Sequence, residues 1–547
     1  MGGTSNITQN MYLYEYEDEI LLVDCGIGFP GTYMPGVDIL IPDITYLLKA
    51  LEKGKKIVGM ILTHGHDDHI AALSFVLPHL PQFPIYGSAL TLGFAQERVS
   101  ELAQQPKFLI VEAGHEFVLG THFKAVSFNM THSVPDTRHY LITTPVGKIY
   151  HGSDFKLDPK PVDGELSELQ NIAAAGDQGV FCALLDCLRV EKLLPAEPET
   201  AVGAEIEKIM LETKGKFILT LMSSHIHRIQ QNVDIAKKLG RKVVFVGRSV
   251  EQNVRVARDL GKLQIDEAQV VNKKHLDSLN DREVCLIIAG SQGQEGSSLV
   301  RAIFGEHPVL QIKKADSVVF SADAIPGNEV SYYQAIDELA GNGISVFYPA
   351  INPNLHQSGH ASRQEQVEMV KLIKPKLLMP IGGADRHRYL FKTTVAQPLG
   401  YKENQVLLPK DGEILEFGAE GEAQVADKIT LSPTTVDGLG IGDVGPLVIA
   451  DRKRLGASGI VAVIIPRVKG NLKLDQIQLI SRGFVFMQQA DEVIEFIKQT
   501  VKDAVNQNRK LSDKDLKQII EKRLARKLYK IIQREPLIMA SIVNFKT

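Results

Sequence analysis

The sequence predicts a multidomain α/β protein, and three features carry that expectation. The first 150 residues run as short apolar stretches, each closed by a turn or a polar cluster. From about residue 200 to 350, strand-like and helix-like stretches alternate, the pattern of a parallel, doubly wound sheet. Around 418–449 the chain becomes Gly-rich and polar, with Gly438, Gly440, Gly442 and Gly445, as a linker would.

In chain order, Glu19–Asp24 and Ile57–Leu62 read as strands that end in polar clusters. Between them Asp43 caps a helix with Ile44, Leu47, Leu48 and Leu51 on one face. Further strands are expected at Lys107–Val111, His122–Phe128, His139–Thr143 and Val146–Tyr150. The alternating block supplies Phe217–Leu221, Lys242–Val246, Val284–Ile288, Ser317–Phe320 and Ser345–Tyr348, with helical runs between them. The last hundred residues predict two or three strands and then one amphipathic helix. Ser512 and Asp515 form its capping pattern, Leu516, Ile520, Leu524, Leu528 and Ile531 its apolar stripe, and Pro536 its stop.

Composition narrows the class. With 547 residues, 44% hydrophobic and 23% charged, the chain has apolar side chains for several cores, which argues against collagen, coiled coil and global disorder. Its longest apolar runs, Ile460–Pro466 and Val284–Ala289, fall far short of a bilayer span. No basic region followed by an apolar one opens the chain, so a cytoplasmic location is expected. Cys25, Cys182, Cys187 and Cys285 lack CxxC spacing and read as buried thiols. The formal net charge of −4 gives no reason to expect nucleic acid. Residues 501–547, however, hold 12 Lys+Arg against 5 Asp+Glu, a weak hint of a polyanion partner, though charge alone favours a solvated helix face.

The strongest chemical signal is Thr63-His64-Gly65-His66-Asp67-Asp68-His69, directly after the expected strand Ile57–Leu62. A tight turn there brings imidazoles and carboxylates together, and both are good zinc ligands. Asp24 ends an earlier strand and suits the support of a ligating histidine. His132, in Thr131-His132-Ser133, and Asp154, in Gly152-Ser153-Asp154, also follow strands, and Asp154 is placed to bridge two ions. Singly, each of these is an ordinary loop residue; in this order, each at a strand end, they point to a metal centre.

That order resembles the metallo-β-lactamase superfamily, whose fold is an αββα sandwich with metals at the strand ends. Leu184-Leu185-Asp186 resembles the first motif of the β-CASP nucleases, and Ser358-Gly359-His360-Ala361 their second. Gly247-Arg248-Ser249, Gly290-Ser291-Gln292-Gly293 and Ile325-Pro326-Gly327-Asn328-Glu329 are similar to the β-CASP core of the bacterial ribonuclease J family. Gly2-Gly3, Asn10-Met11, Phe29-Pro30, Ile41-Pro42-Asp43, His227-Arg228, Arg482-Gly483-Phe484 and Arg534-Glu535-Pro536 extend the resemblance over the whole chain. It implies a lactamase domain in two parts (1–195 and 350–417), an inserted β-CASP domain (196–349), a linker (418–449) and a small α+β C-terminal domain (450–547). It also implies zinc-dependent hydrolysis of RNA, by 5′-to-3′ exonuclease or endonuclease action, in mRNA decay and rRNA maturation. A single-stranded RNA with a 5′-monophosphate is the implied partner, along with a homodimer, higher oligomer or paralogue complex.

By the same resemblance, His64, His66, His132 and Asp154 hold one zinc, and Asp68, His69 and the shared Asp154 a second; manganese or magnesium would also suit. Asp68, Asp154, His360 and Asp186 are the implied catalytic set, with Asp24 behind the ligands. Arg248, Ser291, Gln292, Ser358, Gly359 and His360 are the implied contacts to RNA or phosphate. The chain departs from the pattern where the family has Pro-x-His-Gly-Glu. Here the segment reads Pro380-Ile381-Gly382-Gly383-Ala384, so Gly382 replaces a second-metal histidine, and the nearby His387 belongs to a later column. Cys187-Leu188 replace Ser-Thr, His225 an Asn, and Gln294-Glu295 a Glu-Pro pair. Two readings follow: an active nuclease with a three-ligand second site, or a catalytically weakened RNA-binding subunit.

Overall fold

The computed structural model describes residues 1–545 apart from 32, 326, 419–421 and 485–490. Pro326, in the Ile325–Glu329 motif, and residues 419–421, in the expected linker, therefore lie outside the described residues. The chain divides into two compact units, one of Met1–Phe29 with Leu40–Thr434 and one of Pro30–Ile39 with Thr435–Thr547.

Two sheets form the sandwich of the first unit. One runs in the order Tyr12–Tyr16, Glu19–Val23, Lys56–Ile61, Pro84–Gly87, Lys107–Ile110. The other runs Leu377–Ile381, Cys182–Asp186, Lys148–His151, Thr137–Thr143, Phe123–Met130, Glu116–Leu119. The two-residue period of a strand divides the second sheet's side chains between two cores. Tyr140, Ile142, Ile149 and Leu184 pack with Leu21, Val23 and Ile61 of the first sheet. Leu141, Tyr150, Ala183 and Leu185 pack on the opposite face with Ile172, Met369 and Ile373 of the helices Leu169–Asp177 and Arg363–Ile373. On the first sheet, the helix Ala89–Val99 packs against the strands Pro84–Gly87 and Lys107–Ile110. The result is an αββα sandwich.

A third, wholly parallel sheet runs Lys242–Val246, Val284–Ile288, Phe217–Thr220, Ser317–Phe320, Ser345–Phe347. Helices on both faces account for the uninterrupted apolar runs of its central strands. The chain then returns to the sandwich, where Leu377–Ile381 pairs in parallel with Cys182–Asp186. Everything between 186 and 377 is thus inserted between two neighbouring strands.

In the second unit Ile460–Val468 is the central strand, paired with Asn471–Leu472, Gln478–Arg482 and Leu537–Phe545. Helices Asp491–Gln507 and Asp513–Ile532 supply Ile497, Val501, Ala504, Leu516, Ile520, Leu524 and Leu528 to its core. No helix among the described residues is long and apolar enough to cross a membrane.

Several expectations are corrected. The early helix spans Thr45–Glu52 with Ile44, not Asp43, at its N-cap; the Asp43 carboxylate accepts the N–H of Thr45, the first helical residue (2.9 Å). Leu47 and Ala50 form its buried face, and Leu48, one residue round the helix, is exposed. Within 418–449, the expected linker, lie the strands Ala423–Lys428 and Thr434–Asp437 and the start of the helix Pro446–Ser458. The C-terminal part has two helices rather than one, and a strand follows Pro536. Ile531 is 61% exposed, because it sits in the last turn, past the point where the stripe meets the core at Leu528.

Candidate active site

The strand Lys56–Ile61 delivers the chain into a turn at Thr63–His66, and the four-residue helix Asp67–Ile70 follows. Two close approaches require glycine here. A Cβ at Gly65 would lie 2.4 Å from the Phe94 ring, and one at Gly26 1.5 Å from the Asp68 carbonyl. Asp24, fully buried, accepts the Thr63 N–H (2.8 Å) and the Thr63 hydroxyl (2.8 Å) and lies 2.7 Å from His69 Nδ1.

One ligand atom each from His64, His66, His132 and Asp154, all buried, lies within 4.8 Å of the others. His64 Nε2 and His132 Nε2 are 3.1 and 3.3 Å from His66 Nδ1, and 3.6 and 3.8 Å from Asp154 Oδ2. Their outer nitrogens are engaged elsewhere. His64 Nδ1 lies 3.1 Å from Thr63 Oγ1, His132 Nδ1 donates to the Gly359 carbonyl (2.6 Å), and His66 Nε2 lies 3.2 Å from Ser133 Oγ. Burial first, and then the neighbouring histidines, hold His64 and His132 well below the usual imidazole range; burial pushes His66 to about 3. Three neutral imidazoles whose inner lone pairs converge beside one carboxylate fit a divalent cation of the zinc class.

Asp68 and His69 join no such group among the described residues. His69 Nε2 lies 3.8 Å from Asp68 Oδ2 and 3.7 Å from Asp154 Oδ2, but the Asn10 side-chain amide sits closer, at 3.1 Å. Asn10 is buried and held in place, accepting from the Tyr12 hydroxyl (3.0 Å) and donating to the Asp68 carbonyl (3.2 Å). Asn10 and Tyr12 were not legible as site residues from spacing, because they are brought in at and just before the start of the first strand. Asp154, Asp186 and His360 form a second convergent group. Asp186 ends the strand Cys182–Asp186, and its Oδ2 lies 2.8 Å from His360 Nδ1. Burial acts to lower His360, but Asp186 and Asp154 lift it to about 9. Burial acts to raise Asp154, but His360 and His69 hold it well below the usual carboxylate range.

The remaining expected contacts are dispersed. Arg248 is exposed at the start of the helix Arg248–Asp259. Ser291 and Gln292 are buried. Gln292 donates to the Asp323 carbonyl (2.9 Å) and accepts the Ile325 N–H (2.7 Å) of a neighbouring loop. Ser358 Oγ accepts the His360 N–H (3.2 Å), and the Gly359 carbonyl orients His132. His387 is buried outside both groups, with Nε2 3.8 Å from Glu191.

Comparison with known families matches residues 6–159 to the metallo-beta-lactamase superfamily, 214–339 to the ribonuclease J beta-CASP domain and 447–545 to the ribonuclease J C-terminal domain. The chain is 34% identical over 553 residues to ribonuclease J of Thermus thermophilus, covering 100% of this chain and 94% of that one. It is 33% identical to ribonuclease J 1 of Streptococcus pyogenes (100% and 97% covered) and 32% identical to ribonuclease J2 of Bacillus subtilis (100% and 98%). A crystal structure of a protein of unknown function from Enterococcus faecalis V583 superposes with a TM-score of 0.52 at 15% identity. It covers 75% of this chain and 97% of that one, a likeness of fold.

Proposed function

The chain belongs to the ribonuclease J family and is a metal-dependent ribonuclease, and from that premise we propose zinc-dependent hydrolysis of RNA phosphodiesters, by 5′-to-3′ exonuclease or endonuclease action in mRNA decay and rRNA maturation. The observation that carries this reading is the buried His64–His66–His132–Asp154 set facing the Asp186–His360 pair across Asp154. Zinc held by His64, His66, His132 and Asp154 would supply Lewis-acid activation of water and offset charge on the phosphate. The chain's own residues do the rest. Asp24 fixes Thr63 and so the orientation of His64. Asp186 fixes His360, whose Nε2 faces Asp154 and serves beside the scissile phosphate as acid or charge stabiliser. Arg248, exposed, is suited to pair with the RNA backbone. The parts 1–195 and 350–417 act as one lactamase domain, with 196–349 as the β-CASP insertion, 418–449 as the linker and 450–547 as the C-terminal domain. The implied substrate is single-stranded 5′-monophosphorylated RNA, and the implied assembly a homodimer or a complex with a paralogue.

The test is cleavage of 5′-monophosphorylated and 5′-triphosphorylated RNA by zinc- or manganese-loaded protein. Activity well above a His64→Ala control supports the reading; activity equal to that control ends it. Gly382, with no side chain to offer, favours a second reading as an RNA-binding subunit. Largely metal-free protein that still binds RNA would select it.

A further inference from the structure

We propose that this chain holds its second divalent cation between Asp154 and Asp186, with His360 as the third donor, and that this oxygen-rich site favours zinc over manganese or magnesium less strongly than the first site does. The inference rests on the nuclease reading and deepens its metal chemistry. One ligand atom from each of Asp154, Asp186 and His360 lies within 4.8 Å of the others, and Asp154 is common to this group and the first. A Cβ at Gly382 would sit 3.7 Å from Asp186 Oδ1 and 3.8 Å from Asp154 Oδ1. Both carboxylates therefore face the space that the family's missing histidine would enter. Gly382 also has φ +66°, a left-handed backbone that strains most residues with a Cβ.

Of the Asp68–His69 pair, His69 is already engaged at both ring nitrogens. His69 Nδ1 is held by Asp24, and its Nε2 is met by the anchored Asn10 amide. Asp186 keeps acceptor capacity beyond the Leu188 N–H (2.8 Å) and His360 Nδ1, because a carboxylate has about four lone-pair sites. His360 then has one nitrogen left, Nε2, 3.9 Å from Asp154 Oδ2. Two carboxylates and one imidazole make a harder donor set than the three imidazoles and one carboxylate of the first group, and harder cations follow harder donors. Ligation through Nε2 removes proton donation from His360 and leaves charge stabilisation as its contribution.

The experiment is Mn2+ titration of chelator-treated full-length protein, with free Mn2+ read by electron paramagnetic resonance, on wild type, Asp186→Asn and His69→Ala. The expected result is a second Mn2+ on wild type and on His69→Ala, with its affinity about 10- to 100-fold weaker on Asp186→Asn. Zinc competition should displace the first Mn2+ well before the second. Because Asp186 is buried and its variant risks misfolding, a manganese anomalous map of wild-type crystals provides an independent reading, with the second peak expected against Asp186. A peak against His69, a single ion on wild type, unchanged affinity in Asp186→Asn, or equal displacement by zinc each overturns the proposal. Protein that binds manganese as expected but leaves RNA intact overturns the nuclease reading and not this one.

Discussion

Asp24 adopts a left-handed backbone (φ +59°) that residues other than glycine seldom take, and it does so fully buried. That geometry turns both carboxylate oxygens onto Thr63 and His69. Asparagine tolerates the same φ but exchanges one acceptor oxygen for an NH2, so one donor loses its partner whichever way the amide points. Asp24→Asn should keep the fold, lose about 1–3 kcal/mol of stability, and weaken zinc binding about 10- to 100-fold through Thr63 and His64. Chelator competition measures the affinity; an unchanged value would show that Thr63 orients His64 without Asp24. At this scale the sequence was most legible for the turn at 63–69, because seven consecutive residues bring their own geometry. It was least legible for Asp186 with His360, which meet across 174 residues, and for Asn10, whose role depends on which strand lies beside the turn.

Strands and helices were predictable where the apolar period is unbroken. The parallel sheet appeared at nearly the expected bounds, because its strands are buried on both faces. The helix Asp491–Gln507 was missed although Ile497, Thr500, Val501, Ala504 and Val505 follow helical spacing; two of the five are not strongly apolar, which weakens the pattern. The stripe of the final helix can be tested at its two ends. Leu524→Ala, at a fully buried position, should cost about 2–5 kcal/mol, and Ile531→Ala less than about 0.5 kcal/mol, by urea denaturation. Equal losses would restore Ile531 to the core. Glu19, at the start of its strand, is 7% exposed and accepts the N–H groups of Thr121 (2.7 and 3.0 Å) and His122 (2.9 Å). Burial acts to raise its carboxyl, but these donors hold it below its ordinary value of 4.5. The unfolded chain thus binds this proton more readily than the folded one. The stabilisation is complete above about pH 4.5 and is lost as pH falls through the lower folded value. Glu19→Gln should therefore cost about 2 kcal/mol at pH 7, with the gap to wild type closing in acid. A gap that persists unchanged below that range would assign the loss to packing rather than charge.

Across the whole molecule, the net charge of −4 was the wrong scale for finding a nucleic-acid enzyme, since the chemistry lies in a few buried groups. What the sequence could not show is how the insertion is fastened to the sandwich. Arg228 supplies part of that fastening. It is fully buried on the helix Ile226–Lys238 and pairs with Glu199 through Nε (2.8 Å) and Nη2 (2.9 Å). Its Nη1 donates to the Ser321 carbonyl (2.7 Å) at the end of a parallel-sheet strand and lies 2.9 Å from His356 Nδ1, while Nη2 donates to the Gln357 carbonyl (3.4 Å). The guanidinium thus ties the inserted sheet to the loop that carries Ser358, Gly359 and His360. Arg228→Met leaves Glu199 buried without its charge partner and should cost about 3–5 kcal/mol. Glu199→Gln combined with Arg228→Met removes the stranded charge and should recover a measurable share of that loss. Because the His360 loop remains untied in both variants, the cleavage rate should stay depressed in the double variant even as its stability returns. Recovery of rate together with stability would show that Arg228 serves the fold alone and does not position the loop.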